Sequence, residues 1–396
     1  MLGILMTILL SLLYLFLLSG YEVFAQALCQ FCQFDRMLVC VTPEAKDRTL
    51  PILTDLNDPR IEAVEIPRGE TTTEMWETFT TIAQQVQPKD EVIFDITHGL
   101  RSLPFLVFLF AAYLKAAKQV SITAVYYGAY ELGSPAPVID LSEFVSLLDW
   151  TTATDQFIKT GNAQALASLL NHEGDAMAEE LAQGVNAIAE GLHLLRPYTV
   201  MQQAANLPTL IQSASSTISQ SVPPFAALSE QVQQDYAKFG LENPADYQLN
   251  AQAALVCQLR MIEWYEIKGQ TVQALSMARE WLPSLLCYHF KLDPQIDKPN
   301  RLEMESLLAT GGKTKDGKTG EIKESAYLKQ WEEIPDATRK PVSRLWCGDL
   351  SLANLRNDVL HAGFRKNPKA PEAILEKTKQ IVQELKAIAR LWRLED

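Results

Sequence analysis

Val92-Ile93-Phe94-Asp95-Ile96-Thr97-His98-Gly99-Leu100-Arg101-Ser102-Leu103-Pro104 is the stretch on which the reading of the N-terminal part turns. A β-branched apolar run stops abruptly in polar residues and a glycine. A helix follows at once, with Ser102 as N-cap and Pro104 in the first turn, where a missing N–H costs nothing. In an open α/β sheet, ligands sit outside the carboxyl end of a strand and over a helix N-terminus. Thr97, His98 and Arg101 are all donors able to hold phosphate. The segment therefore reads as an anion or nucleotide pocket, or as an ordinary polar strand-to-helix turn. Spacing alone does not separate the two.

The same grammar extends on both sides. Residues 36–42 read as a buried strand ended by Pro43, and residues 61–66 alternate as a more exposed strand does. Thr71 to Gln87 reads as a helix with Met75, Phe79 and Ile82 at helical spacing, closed by Pro88. Then come a strand at 91–96, a helix at 103–118, a strand at 120–127 and a short strand at 137–141. Strands alternating with helices imply a mostly parallel sheet. The helix over Leu103–Leu114 is apolar on every side, which predicts burial between the sheet and another layer. That layer is either a dimer partner or the protein's own second domain.

Composition sets the outer limits. The chain has 396 residues, room for two domains, with 47% hydrophobic and 21% charged residues. A net charge of −13 argues against a broad basic coat for nucleic acid. Six cysteines do not make a disulfide scaffold and point to a reducing compartment. Cys29-Gln30-Phe31-Cys32 is a single CxxC with no second pair to complete a zinc site, and reads as two half-buried cysteines on a helix. No metal site or cofactor is expected. His98, His172, His193 and His289 form no ligand pattern, and HExxH, P-loop and nucleophile-elbow motifs are missing.

The wording of the opening stretch goes further than its spacing. Asp95-x-Thr97-His98-Gly99 followed by Arg101-Ser102-Leu103-Pro104 resembles the CRISPR-associated DxTHG-motif family. Val41-Thr42-Pro43-Glu44-Ala45, Val125-Tyr126-Tyr127-Gly128-Ala129 and Pro137-Val138-Ile139-Asp140-Leu141 fit as well, in the family's order. The resemblance implies an α/β Rossmann-like CARF domain that senses cyclic oligoadenylate. It also implies that Thr97, His98, Gly99 and Arg101 line the ligand pocket, with Asp95 positioning the turn and Gly128 admitting the ligand close to the backbone. The family's Gly-Thr-Gly-type first loop is not found here.

Met1 to Leu18 is nearly all apolar, interrupted by Gly3, Thr7 and Ser11. It falls slightly short of the ~20 residues of a spanning helix. Ala25-Gln26-Ala27 mimics a signal-peptidase site, yet no lysine or arginine precedes Arg36. Residues 1–20 are read as an apolar segment that supplies a first strand at about residues 2–10 or, as the alternative, a membrane-seeking helix.

After Trp150 the strand signals nearly disappear. Residues 163–170, 175–195, 203–221, 251–268, 274–290 and 372–394 read as helical, with Pro208 breaking the third. Thr310 to Lys323 is polar, rich in glycine and lysine, and reads as a flexible insertion. Trp264, Tyr265, Trp281, Tyr288 and Phe290 read as core. Leu355-Arg356-Asn357-Asp358-Val359-Leu360-His361 then carries the chemistry. From Arg339 to Lys366 six basic residues face only Asp349 and Asp358, a local net of +4. On a helix, Asn357 and His361 share a face and Arg356 flanks it.

Arg356 and His361 resemble the R-x(4–6)-H motif of HEPN ribonucleases, with Asn357 after the arginine as is common there. The implied organisation is a CARF-like domain at 21–150 followed by an all-α HEPN-like domain at 151–396. The implied activity is a cyclic-oligoadenylate-activated, metal-independent endoribonuclease acting on single-stranded RNA, as a cytoplasmic homodimer with Arg356, Asn357 and His361 catalytic. Two rivals stand beside it. One is a CARF sensor linked to a membrane through residues 1–18. The other is a ring nuclease that degrades cyclic oligoadenylate in the CARF pocket.

Overall fold

A computed structural model describes residues 21–98, 103–133, 136–172, 175–221, 225–315, 320–364 and 366–394. The strand or helix expected over residues 1–20, and Gly99 and Arg101 of the turn, lie outside the described residues. The chain is a mixed α/β protein of two compact units, Met1–Asp149 and Trp150–Asp396.

The first unit opens with α1 (Phe24–Phe31), β1 (Met37–Val41), α2 (Pro43–Arg48), α3 (Leu50–Thr54) and β2 (Ile61–Glu65). It continues with α4 (Thr72–Gln85), β3 (Glu91–Asp95), α5 (Leu103–Lys118), β4 (Ser121–Gly128) and β5 (Val138–Asp140). Among the described residues the strands form two small sheets rather than one. β1 and β2 pair in parallel, and β3–β4–β5 form the second sheet. β3 and β4 are parallel, joined through α5, whereas β5 runs antiparallel to β4. The nine residues between β4 and β5 are too few for a crossover, so the chain must double back.

Two apolar clusters clamp the second sheet. Phe24, Ala27 and Leu28 of α1 pack on Ala124 and Tyr126 of β4, with Met37 of β1 and Ile93 of β3 at the margin. On the other face Ala83, Val86, Phe110, Leu114 and Val120 pack with Val92, Phe94 and Ile122. A bulge between Val92 and Ile93 pairs them with Ile122 and Ala124, skipping Thr123. That extra residue is why Ile122 and Ala124, two apart, serve opposite faces. The helix expected to be buried all round is not. α5 buries Phe110, Ala111 and Leu114 and exposes Phe105, Phe108, Leu109 and Tyr113, because the sheet covers only one of its sides.

α6 (Ser142–Thr160) contains the boundary between the units. The second unit is helical: α7 (Gln164–His172), α8 (Ala176–His193), α9 (Pro197–Ser221), α10 (Phe225–Tyr236), α11 (Tyr247–Ile267) and α12 (Thr271–His289). α13 (Leu302–Thr310), a hairpin of β6 (Lys313–Lys315) and β7 (Ile322–Glu324), α14 (Leu328–Glu333), α15 (Asp336–Cys347), α16 (Leu352–Leu360) and α17 (Pro371–Leu391) complete it. Asp175 and Asp246 cap α8 and α11, each carboxylate accepting two backbone N–H bonds at 2.8–3.2 Å.

The core of this unit is built from large side chains whose polar atoms are satisfied. Tyr236 stacks on Phe157 at 4.3 Å between ring centroids and donates its hydroxyl to the Phe157 carbonyl. Tyr265 donates to Leu192 O at 2.6 Å and Trp281 to Leu255 O at 2.9 Å. Pro208 does not break α9, contrary to the sequence reading. A mid-helix proline costs about 3 kcal/mol. Burial of Leu207 and Ile211 beside it, at roughly 1.5–3 kcal/mol each, offsets that. The segment read as a flexible insertion carries the β6–β7 hairpin, whose ends are joined by the Lys313–Glu324 ion pair at 3.7 Å.

Tyr265→Phe removes the hydroxyl bond to the Leu192 carbonyl, which keeps the Leu195 N–H at 3.3 Å. It is expected to lower unfolding free energy by about 0.5–1.5 kcal/mol. A urea titration of the full chain checks this, and an unchanged midpoint would contradict the packing described.

Candidate functional site

β3 ends at Asp95, and the turn that follows is tied to three places. The Asp95 carboxylate accepts from the Thr97 N–H at 2.8 Å. Thr97 Oγ1 in turn accepts from the Gly128 N–H at 2.8 Å, bridging to the end of β4. The Phe24 N–H, at the start of α1, donates to His98 Nε2 at 3.3 Å. That bond requires a lone pair on Nε2, which places the imidazole proton on Nδ1. The His98 ring lies nearly parallel to Tyr130, 6.5 Å away. Protein crowded around the Asp95 carboxyl pushes its pKa up although the residue keeps an exposed edge, and the Thr97 hydrogen bonds pull in the opposite direction.

Gly128 needs to be a glycine for a reason internal to the chain. A Cβ there would meet the Phe24 ring at 3.1 Å and the Thr97 methyl at 3.2 Å. The sequence assigned that close approach to a ligand; the described contacts are with Phe24 and Thr97. Tyr130 and the α1 N-terminus are neighbours of the turn that the sequence reading did not single out. They are distant in sequence, and no local pattern marks them.

Cys29 and Cys32 are half-buried at the end of α1. Burial raises both thiols, Cys32 to about 11, so they stay protonated at neutral pH and suit a core better than a metal. Among the described residues no group of three or more His, Cys, Asp or Glu could hold a metal ion.

The second candidate site lies on α16, with Arg356 and Asn357 inside the helix and His361 at its C-terminal end. Arg356 is half-buried; its Nη1 donates to Asn357 Oδ1 at 3.1 Å, and its enclosed Nε has no hydrogen-bond partner. His361 caps the helix and is exposed, its N–H bonded to Asn357 O at 3.0 Å. Ala362 and Gly363 then take positive φ values of 52° and 71°, turning the chain sharply. Asp358, only 3% exposed, holds this turn in place. Its Oδ2 accepts from the Lys369 N–H at 3.0 Å, and its carbonyl accepts from the Gly363 N–H at 3.1 Å. In the sequence Asp358 counted only as an opposing charge.

The local positive charge is smaller than the stretch from residue 339 to 366 implies. Asp336, just outside that window, pairs with Arg339 at 2.5 Å and with Lys340 at 2.6 Å. Arg344 stays exposed, and Arg365 lies outside the described residues. Lys313, Arg339 and Lys340 line an open groove between α13 and α15 with Cys347.

Two substitutions check this geometry. Thr97→Val removes the acceptor for the Gly128 N–H, and hydrogen exchange at that amide is expected to speed up at least ~10-fold. Asp358→Ala strips the acceptor from the Lys369 N–H and is expected to cost about 1–3 kcal/mol of stability in a denaturant titration. A neutral result would detach Asp358 from the turn.

Residues 146–245 match the family described as CRISPR-associated protein MJ1674, second domain. The match runs from within α6 to just before α11 and includes neither the Asp95 turn nor Arg356 and His361. The chain is also 33% identical over 115 residues to the CRISPR-associated protein MJ1674 of Methanocaldococcus jannaschii. That alignment takes 27% of this chain and 18% of the relative, so only a minor part of the relative's length is represented. Both findings make the chain similar to CRISPR-associated proteins over part of its length.

Proposed function

We propose that the chain is a CARF–HEPN effector of type III CRISPR defence, an endoribonuclease switched on by cyclic oligoadenylate. The observation that carries the reading is the end of α16. There a half-buried guanidinium with an unpaired Nε, an amide bonded to it and an exposed histidine belong to one short segment. RNA brings its own nucleophile, the 2′-OH, so the step needs no metal. His361 transfers the proton, since an imidazole can both accept one from the 2′-OH and donate one to the leaving oxygen. Arg356 stabilises the charge that builds on the phosphorane oxygens. Asn357, bonded to the guanidinium, orients it. The family relation supports the CRISPR setting.

In this reading the first unit is the sensor. Cyclic oligoadenylate binds at the Asp95–Thr97–His98–Gly99–Arg101 turn between two copies of the chain. Binding favours the arrangement in which the two helical units cut RNA. No described helix is long and apolar enough to cross a membrane, and residues 1–18, on which the membrane-linked alternative rests, lie outside the described residues.

The test is direct. Purified chain is incubated with labelled single-stranded RNA and cyclic tri-, tetra- or hexa-adenylate in turn, with EDTA present. Both RNA cleavage and loss of the cyclic compound are followed. Cleavage by the wild type is expected with one ring size, and His361→Ala should reduce it ~10²–10⁴-fold while activator binding is retained. Cleavage at the wild-type rate by the variant would overturn the catalytic assignment. Loss of the cyclic compound without RNA cleavage would instead favour the ring-nuclease reading.

A further inference from the structure

Phe364 stands at the far end of the turn that begins with His361. Its N–H donates to the His361 carbonyl at 3.0 Å, closing a four-residue turn that keeps the two Cα atoms within about 7 Å. Ala362 and Gly363 between them take positive φ, and the Gly363 N–H is held by the Asp358 carbonyl at 3.1 Å. The backbone of the turn is thus fixed by bonds of its own. The phenyl ring is left out of it: Phe364 is 90% exposed, more than any other large apolar side chain among the described residues. A single exposed apolar residue is ordinary on a surface. The charge around this one is not. Lys366 and Lys369 are exposed, and the one carboxylate in the sequence from Leu352 to Ala370, that of Asp358, is 3% exposed. An aromatic ring therefore stands in open solvent among cations, within one turn of His361 and of the Arg356 guanidinium behind it.

We propose that Phe364 is a stacking platform for an RNA base that adjoins the phosphate facing His361. Interleaved aromatic and basic side chains are what a single strand needs: cations follow the phosphates, and a flat ring takes the unstacked base. A phenyl carries neither donor nor acceptor, so it reads no base edge. Every base has a π-face, and a platform of this kind grips the strand without choosing its sequence. The bonded turn gives the grip a fixed distance from His361, so a seated base brings its neighbouring phosphate to the imidazole rather than merely to the surface. A protein contact fits less well, because interface cores are poor in lysine and this ring has lysines at 366 and 369 beside it. The role rests on the proposed reading of α16 as a segment that cuts RNA, and adds the side chain that seats the substrate there.

Fluorescence anisotropy on the full chain tests it, with a labelled single-stranded 2′-O-methyl oligonucleotide and with an abasic strand of the same length. Methylation removes the nucleophile, so the strand stays whole, and cyclic tri-, tetra- and hexa-adenylate are supplied in turn. Phe364→Leu should weaken binding of the base-bearing strand ~5–150-fold, while Phe364→Trp, which keeps a π-face, should bind at least as well as the wild type. The abasic strand should not distinguish wild type from Phe364→Leu. On cleavable RNA, Phe364→Leu should raise KM by a similar factor and leave kcat nearly unchanged. Circular dichroism and melting should not change, since the side chain is exposed. Equal binding of the base-bearing strand by wild type and Phe364→Leu overturns the stacking role, and cleavage by the wild type then leaves the ribonuclease reading standing. An equal loss on both strands overturns it too, since the base is then not what the ring holds. A molecular mass altered in Phe364→Leu assigns the ring to a protein contact instead. A base-dependent loss in a chain that cuts no RNA upholds the platform and removes the ribonuclease assignment. A wild type that binds neither strand with any of the cyclic compounds overturns both.

Discussion

Parallel pairing of β3 and β4 between two apolar layers is the constraint on which the first unit depends. β3 alternates, sending Ile93 toward α1 and Val92 and Phe94 toward α4 and α5. Both layers have to be present for such a strand to be stable, since a parallel ladder tolerates little water on either side. Pairing in parallel brings the carboxyl ends of both strands to the same edge. Only for that reason can Thr97, after β3, accept from Gly128, at the end of β4. The turn is thus held by ladder geometry plus side-chain bonds, and α1 is drawn into it through the Phe24 N–H and His98. The residues that mark the turn in the sequence are therefore partly engaged in building it.

In the second unit the comparable role falls to buried polar groups. Tyr265, Trp281 and Tyr236 each carry a large apolar body into the core and dispose of one hydrogen on a backbone carbonyl. A core of this kind has few alternative packings, because moving any ring strands a donor. α16 is laid against this scaffold with Leu352 and Leu355 inside, and Asp358 fastens the turn behind it. His361 owes its position at the surface to that turn, whose two positive-φ residues end the helix within one step. The chain is acidic overall, and even the basic stretch before α16 is partly neutralised by Asp336. An anionic substrate would be held there by a few particular cations rather than by a general field.

The sequence by itself determined the elements. The strands at β1–β4, the helices α4 and α5, and α8, α11, α12 and α17 all stand within a few residues of where hydrophobic period, capping residues and prolines put them. These signals are local, so a single chain displays them. Tertiary structure decided what local signals do not encode. Pro208 stays inside α9 because packing outweighs the proline. The bulge at Thr123 sends Ile122 and Ala124 to opposite faces, where a plain period of two puts them together. The apolar surround of α5 says that both sides avoid water, but only the position of the sheet says which side it covers. At the two candidate sites the residue types that raise the expectation, Asp95-x-Thr97-His98 and Arg356-Asn357, are read from the sequence alone. The contacts around them are not, because Gly128 bonds to Thr97, Phe24 to His98 and Lys369 to the neighbouring Asp358 through backbone N–H groups, and every residue but proline carries the same one.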